Sequence, residues 1–210
     1  MKSLSDSMVF VIDDDKSVRN GLRRLLRSAG YKCEIFESAS DFLAREQHPG
    51  PACVIVDVRM PEMNGMDFQA TLIRHGREEQ LVFITGHGDI SMCAQAMKAG
   101  AVDFLPKPFR ADELLQCVDR ALTRSAEQRR LTTERNQARR LLDSLTPREF
   151  EVMQLVTTGM LNKQIAGELG TAEKTVKVHR GRMMRKLNVA SVAELVRLTE
   201  KAGLASAPSA

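Results

Sequence analysis

Five residues of this chain are of the types that hold and accept a phosphoryl group: Asp13 and Asp14, Asp57, Thr85 and Lys107. Each stands at or just past the end of a short apolar run, at residues 8–12, 53–56, 81–84 and 101–105. Carboxylates brought together repel, and they are tolerated only when protonated or bridged by a cation. Hard oxygen ligands of this kind suit Mg²⁺, which keeps several waters and pairs with phosphate oxygens. A lysine ammonium adds a second positive charge and a threonine adds a hydroxyl donor. Metal, ammonium and hydroxyl together would clamp three phosphoryl oxygens and leave one carboxylate as nucleophile.

That chemistry needs elements that bring the five together. Cys53-Val54-Ile55-Val56-Asp57 reads as a strand buried on both faces and ending in an acid, and Pro61 and Asn64-Gly65 then turn the chain. Residues 16–29 place Val18, Leu22, Leu25, Leu26 and Ala29 at helical spacing, with Gly30 as the stop. A weak strand at 33–36, a short helix at 40–44, and helices near 65–75 and 90–98 complete the pattern. Five strands alternating with helices predict a parallel, doubly wound α/β sheet. Such a sheet collects its strand ends on one edge, where ligands bind in open α/β folds.

With 210 residues, 43% hydrophobic and 28% charged, the chain fits one large or two small soluble domains. No apolar run approaches the roughly 20 residues of a membrane span, and the N-terminal residues carry no secretory pattern. Cys33, Cys53, Cys93 and Cys117 lack CxxC pairing, which suits reduced thiols in a cytosol better than disulfides or zinc. Residues 1–124 hold 16 Lys or Arg against 18 Asp or Glu, and residues 145–210 hold 10 against 6. An acidic front and a basic back suggest two modules, with nucleic acid a candidate partner for the second.

Between them, no helix breaker occurs from residue 111 until Pro147. Leu114, Leu115, Val118 and Leu122 make a packed stripe, but from 123 to 140 only Ala126, Leu131 and Ala138 are apolar. A helix polar all round bridges domains or is not stable alone. One connecting helix over 111–142, about 48 Å long at 1.5 Å per residue, is expected, with a frayed linker as the alternative. Thr146, Pro147 and Glu149 then spell N-cap, first helical position and capping box. The helix they open should bury Phe150, Val152, Met153, Leu155 and Val156 and stop at Gly159. Asn162 is expected to cap a short helix ending at Gly170, followed by a third to about Leu187 and a fourth over 192–202. Two short helices across a tight turn predict a helix-turn-helix whose second member enters the major groove. In that member Val176, Met183 and Leu187 point inward, and Lys174, Lys177, Val178, Gly181, Arg182 and Arg185 outward. Six Lys or Arg and His179 lie between 174 and 186 without an acid.

Residues 6–124 resemble the receiver domain of two-component response regulators. The likeness rests on Asp13-Asp14, Asp57 in D-x-R-M-P-x-M-N-G, Thr85 in T-G-H-G-D, and Lys107-Pro108-Phe109 after A-V-D-F-L-P. It implies Asp57 as phospho-acceptor and Mg²⁺ as cofactor. Asp13 and Asp14 would be metal-side acids, Asp14 the more direct ligand, joined by the backbone carbonyl of Arg59. Thr85 and Lys107 would bind the phosphoryl group, and Lys107-Pro108 would be cis. Phe104 would be a switch aromatic turning inward as Thr85 moves, with plain core packing as its alternative. Arg59 and His87 would tune hydrolysis. The face of the fourth helix and fifth strand, rich in soft side chains, would pair with a second copy.

Residues 145–202 resemble the LuxR-type four-helix DNA-binding domain through L-T-P-R-E-x-E-V, N-K-Q-I-A-G-E-L-G and T-V-K-V-H-R-x-x-M-x-R-K-L. By position this implies Lys177, Val178 and Gly181 toward base edges and Lys163, Thr175, His179, Arg182 and Arg185 toward phosphates. Gly181 departs from the pattern, since many relatives carry a side chain there. The two likenesses together resemble the FixJ/NarL branch of response regulators, a neighbourhood that includes regulators of aromatic catabolism such as the styrene-responsive one. The expected organisation is a phospho-receiver over 1–124, a helical linker over 125–144 and a DNA-binding domain over 145–210. The implied protein is a cytoplasmic transcription regulator and not an enzyme, apart from slow autodephosphorylation. Its implied partners are a sensor histidine kinase, double-stranded promoter DNA, a second copy on phosphorylation and RNA polymerase. Two other readings remain open from the residues: a phosphohydrolase using Asp13-x-Asp15, and a regulator that needs no phosphate.

Overall fold

The computed structural model describes residues 6–86 and 90–204. The chain divides into two compact units, Met1–Arg129 and Arg130–Ala210.

In the first unit, β1 (Met8–Ile12), β2 (Cys33–Phe36), β3 (Ala52–Asp57), β4 (Gln80–Thr85) and β5 (Asp103–Pro106) form one parallel sheet in the order β2-β1-β3-β4-β5. The covering helices are α1 (Lys16–Ser28), α2 (Ala39–Ala44), α3 (Gly65–Arg74), α4 (Ile90–Lys98) and the first part of α5 (Ala111–Asp143). Strand side chains alternate between faces, so the sheet feeds two cores. Val9, Val11, Cys53, Ile55, Val82 and Ile84 pack on α1 and α5 through Leu22, Leu26, Leu114 and Val118. Phe10, Ile12, Val54, Val56 and Phe83 pack on α2, α3 and α4 through Phe42, Phe68, Leu72 and Ala96. β3 is buried along its whole length, as its β-branched run predicts for a central parallel strand.

The register places the functional ends. Ile12 lies opposite Val56, and Asp57 opposite Ile84. Asp13 and Thr85 therefore each leave the sheet beside Asp57. The fifth strand starts at Asp103, later than the apolar run at 101 implies. The Ala101 N–H donates to the Ala96 carbonyl and Gly100 takes a positive φ of 97°, so these residues close α4 instead of extending β5.

Two features of this unit were not visible in the sequence. Gly65 opens α3 directly under β3, and a Cβ there would stand 2.8 Å from the Asp57 carbonyl oxygen and 3.0 Å from the Phe83 ring. Ser125, in the polar stretch of α5, is fully buried, and its hydroxyl accepts the Ala52 N–H at the start of β3 at 3.0 Å. One turn on, Arg129 donates to the Pro49 carbonyl at 2.6 Å. α5 thus remains part of the first unit past Leu122, where its apolar stripe ends.

The second unit contains the last turns of α5 with α6 (Pro147–Thr157), α7 (Asn162–Glu168), α8 (Glu173–Lys186) and α9 (Val192–Lys201). Its core is built from Ala138, Leu142, Val152, Met153, Val156, Ile165, Val176, Met183, Leu187 and Leu195. Phe150 and Leu155 are only partly buried. The capping box at Thr146 forms as expected: the Glu149 N–H donates to Thr146 Oγ1 at 3.3 Å, and the Thr146 N–H to Glu149 Oε2 at 2.9 Å. Asn162 is a correction. It is the first residue inside α7, not its cap; Leu161 holds the cap position, and its N–H donates to Gln164 Oε1 at 2.8 Å. The Asn162 side-chain oxygen Oδ1 instead accepts from Arg180 at 3.0 Å, a tertiary partner that outranks local capping preference.

Candidate functional site

At the carboxyl edge of the sheet, one carboxylate oxygen from each of Asp13, Asp14 and Asp57 lies within 4.8 Å of the others. Asp13 is fully buried, Asp57 nearly so, and Asp14 is exposed at the rim. Lys107 arrives from just past β5, its Nζ 2.8 Å from Asp13 Oδ2 and 2.9 Å from Asp57 Oδ2. The backbone bond from Lys107 N–H to the Thr85 carbonyl, 2.6 Å, ties this loop to the end of β4. The Lys107-Pro108 peptide is cis. Thr85 is fully buried. The Arg59 N–H donates to Asp57 Oδ1 at 3.3 Å, while its side chain is exposed.

The electrostatics of the pocket favour a cation. Burial raises the Asp13 carboxyl above the ordinary aspartate range, against the lowering effect of hydrogen bonds from Lys107 and the Asp15 N–H. Burial alone would lower Lys107, but its bonds to Asp13 and Asp57 outweigh it and hold the ammonium above the usual lysine range. Three carboxylates against one ammonium leave two negative charges in excess. An all-oxygen donor set with that excess fits a hard divalent cation. Receiver domains generally bind Mg²⁺ at such an acidic pocket.

Sequence reasoning missed a residue that shapes this site. Arg19, on the second turn of α1, is buried, and one guanidinium nitrogen donates to the carbonyls of Asp13 (2.7 Å) and Asp14 (2.9 Å). Its other nitrogen meets Glu37 at 3.2 Å. Asp15 is occupied as the α1 N-cap, accepting the Ser17 and Val18 N–H groups. Phe104 is half-buried against the second core, its ring centroid 6.2 Å from that of Phe83. His87 lies outside the described residues.

In the second unit, Val176, Met183 and Leu187 are buried. Lys174, Thr175, Lys177, Val178, Gly181, Arg182 and Arg185 are exposed on α8, with Lys163 exposed on α7 and His179 half-buried. Val178, an apolar residue on this otherwise polar face, is 44% exposed. Lys177 pairs with Glu173 at 3.3 Å, a solvent-exposed contact of little worth. A Cβ at Gly181 would meet nothing within 4 Å, so no internal contact demands glycine there.

Comparison with known proteins gives the same division. The response regulator receiver domain family matches residues 9–119, and the bacterial regulatory proteins of the luxR family match residues 143–199. Nodulation protein W of Bradyrhizobium diazoefficiens is 44% identical over 200 residues, 95% of this chain and 88% of that protein. Response regulator protein TodT of Pseudomonas putida is 45% identical, covering 96% of this chain and 89% of its own. Transcriptional regulatory protein FixJ of Azorhizobium caulinodans is 39% identical, covering 96% of each chain. Among solved structures, response regulator StyR is 51% identical with a TM-score of 0.82, over 93% of this chain and 99% of that one.

Proposed function

The chain belongs to the response regulators that join a receiver domain to a luxR-family DNA-binding domain, and on that premise we propose that Asp57 is its phospho-acceptor and that the aspartyl phosphate controls its grip on promoter DNA. The observation carrying this reading is the convergence of Asp57 with Asp13, Asp14 and Lys107 on one buried sheet edge.

In the proposed transfer, a carboxylate oxygen of Asp57 attacks the phosphorus of a phosphohistidine on a sensor kinase. The oxygen–phosphorus bond forms as the nitrogen–phosphorus bond breaks, and the kinase imidazole leaves. Asp13, Asp14, Asp57 and the Arg59 carbonyl would hold Mg²⁺, whose charge offsets the repulsion between carboxylate and phosphoryl oxygens. Lys107, already bonded to Asp57, is positioned to follow the charge onto the phosphoryl group, with the Thr85 hydroxyl as a further donor. Arg19 fixes the backbone that carries the two metal-side acids. Slow autodephosphorylation would reset the site.

Residues 1–124 would act as the phospho-receiver, 125–144 as the connecting helix and 145–210 as the DNA-binding domain. Phe104 with the α4–β5 face would present a phosphorylation-dependent homodimer surface, and the paired domains would gain affinity for two half-sites. On α8, Lys177, Val178 and Gly181 would face base edges. Lys163, Lys174, Thr175, His179, Arg182 and Arg185 would face phosphates, and RNA polymerase would be the downstream partner. Among the described residues no helix is long and apolar enough to cross a membrane, and four free thiols suit the cytoplasm. The hydrolase reading loses its pair, because Asp15 is the α1 cap.

Asp57→Asn should abolish uptake of hydroxylamine-labile phosphate from acetyl phosphate. Uptake that persists would remove Asp57 from its role.

A further inference from the structure

Not all the cations of α8 are free to meet a phosphate. Arg180 donates to Asn162 Oδ1 at 3.0 Å, bonding the middle of α8 to the start of α7. Lys186, in its last turn, bonds Glu149 Oε2 at 2.6 Å and the Ser144 carbonyl at 3.3 Å. Glu149 is itself buried, and its neighbour Arg148 donates to the Leu169 carbonyl at 2.7 Å, closing the end of α7. The first turn of α6 thus grips the turn before α8 through one residue and the far end of α8 through the next. By contrast, among the described residues Arg182 has no side-chain partner, and Arg185 only reaches back to the Gly181 carbonyl at 3.3 Å.

A lysine that left Glu149 for a phosphate would strand a buried carboxylate, a costly exchange. Arg180 would leave the half-buried Asn162 oxygen without its donor, a smaller cost, whereas a cation with no partner outside its own helix loses no such bond. Resting on the reading of α8 as the helix that enters the major groove, we propose that Arg180 and Lys186 are positioning residues. They fix the angle at which α8 meets the bases, and they do not neutralise phosphates. Base discrimination should then depend on them, whereas counterion release should not.

The two roles separate in a salt titration. Each phosphate-neutralising cation contributes about one unit to the slope of log affinity against log salt. Using the full chain with a selected operator and with random duplex, Arg182→Gln and Arg185→Gln should each lower that slope by about one. Lys186→Met and Arg180→Gln should leave the slope unchanged and reduce the operator-to-random ratio by roughly tenfold, the worth of one well-aligned base contact. Lys186→Arg, which can still reach Glu149, should keep the ratio. If Lys186→Met does not fold, Arg180→Gln and Lys186→Arg still decide the matter. A slope reduced by one in Arg180→Gln or Lys186→Met, with the ratio intact, overturns the proposal. An unchanged slope in Arg182→Gln and Arg185→Gln instead overturns the reading of α8 on which it rests.

Discussion

The acid pocket and the exposed face of α8 achieve charge in opposite ways. The pocket joins residues as far as 94 positions apart, Asp13 and Lys107, through the register of a parallel sheet. Asp13 and Asp57 are buried and share the Lys107 ammonium, while Asp14 lies exposed at the rim. The face of α8 comes from a single helix of 14 residues, with its cations in solvent and largely independent of one another. Charges held in a dry, convergent site interact strongly, and loss of one changes all the others. Charges spread along a wet helix contribute separately and weakly. A substitution near the pocket should therefore act through geometry and be severe, and one on the face of α8 should be mild and additive.

The sharpest test of that contrast is Gly65→Val. The close pass of α3 under Asp57 leaves no space for a side chain, so we expect a loss of about 2 kcal/mol from overpacking and a displaced Asp57. Denaturant unfolding and the rate of phosphate uptake should fall together; a stable variant with normal uptake would break the comparison. Ser125→Ala comes next. It leaves the buried Ala52 N–H without an acceptor, which costs about 1–3 kcal/mol, read as a lower denaturant midpoint with the same slope.

A weaker effect should appear on acidification of the second unit. The hydrogen bond from Lys186, with that from Thr146 N–H, holds the Glu149 carboxyl down to about 2 against an ordinary 4.5. A depressed carboxylate stabilises the folded form fully above about pH 4.5, and that contribution fades as pH falls toward 2. Melting temperature of the second unit should drop across that window, and Glu149→Gln should flatten the drop. The smallest expected effect is of opposite sign. Gly181→Ala should raise stability by about 1 kcal/mol, the helix penalty of glycine, since its added methyl meets nothing. A destabilised Gly181→Ala would mean that the face of α8 is less independent than its exposure suggests.

The pocket was largely legible because each of its members follows an apolar run, and strands that are buried end abruptly. Alternation with helices foretold a parallel sheet with its strand ends on one edge, but the order β2-β1-β3-β4-β5, and hence the neighbours of Asp57, came only from the fold. Arg19 was not legible: an arginine near a helix start reads as solvated, and only the fold turns it toward the carbonyls of Asp13 and Asp14. Ser125 was hidden for the same reason, being one polar residue in a polar stretch. Asn162 misled because its type favours caps, while Arg180 18 residues later claimed its oxygen. Arg180 and Lys186 were indistinguishable in sequence from the other cations of α8, since pairing is decided by tertiary neighbours and not by spacing.

The grip of Arg148 and Glu149 on the end of α7 and the far end of α8 also bears on how this unit can change. A helix start, a turn and the far end of α8 hang on two adjacent codons, so that stretch is brittle to change. Val178 and Gly181 carry no such duty, and under the proposed role of α8 a new taste in operators would be acquired there without rebuilding the frame.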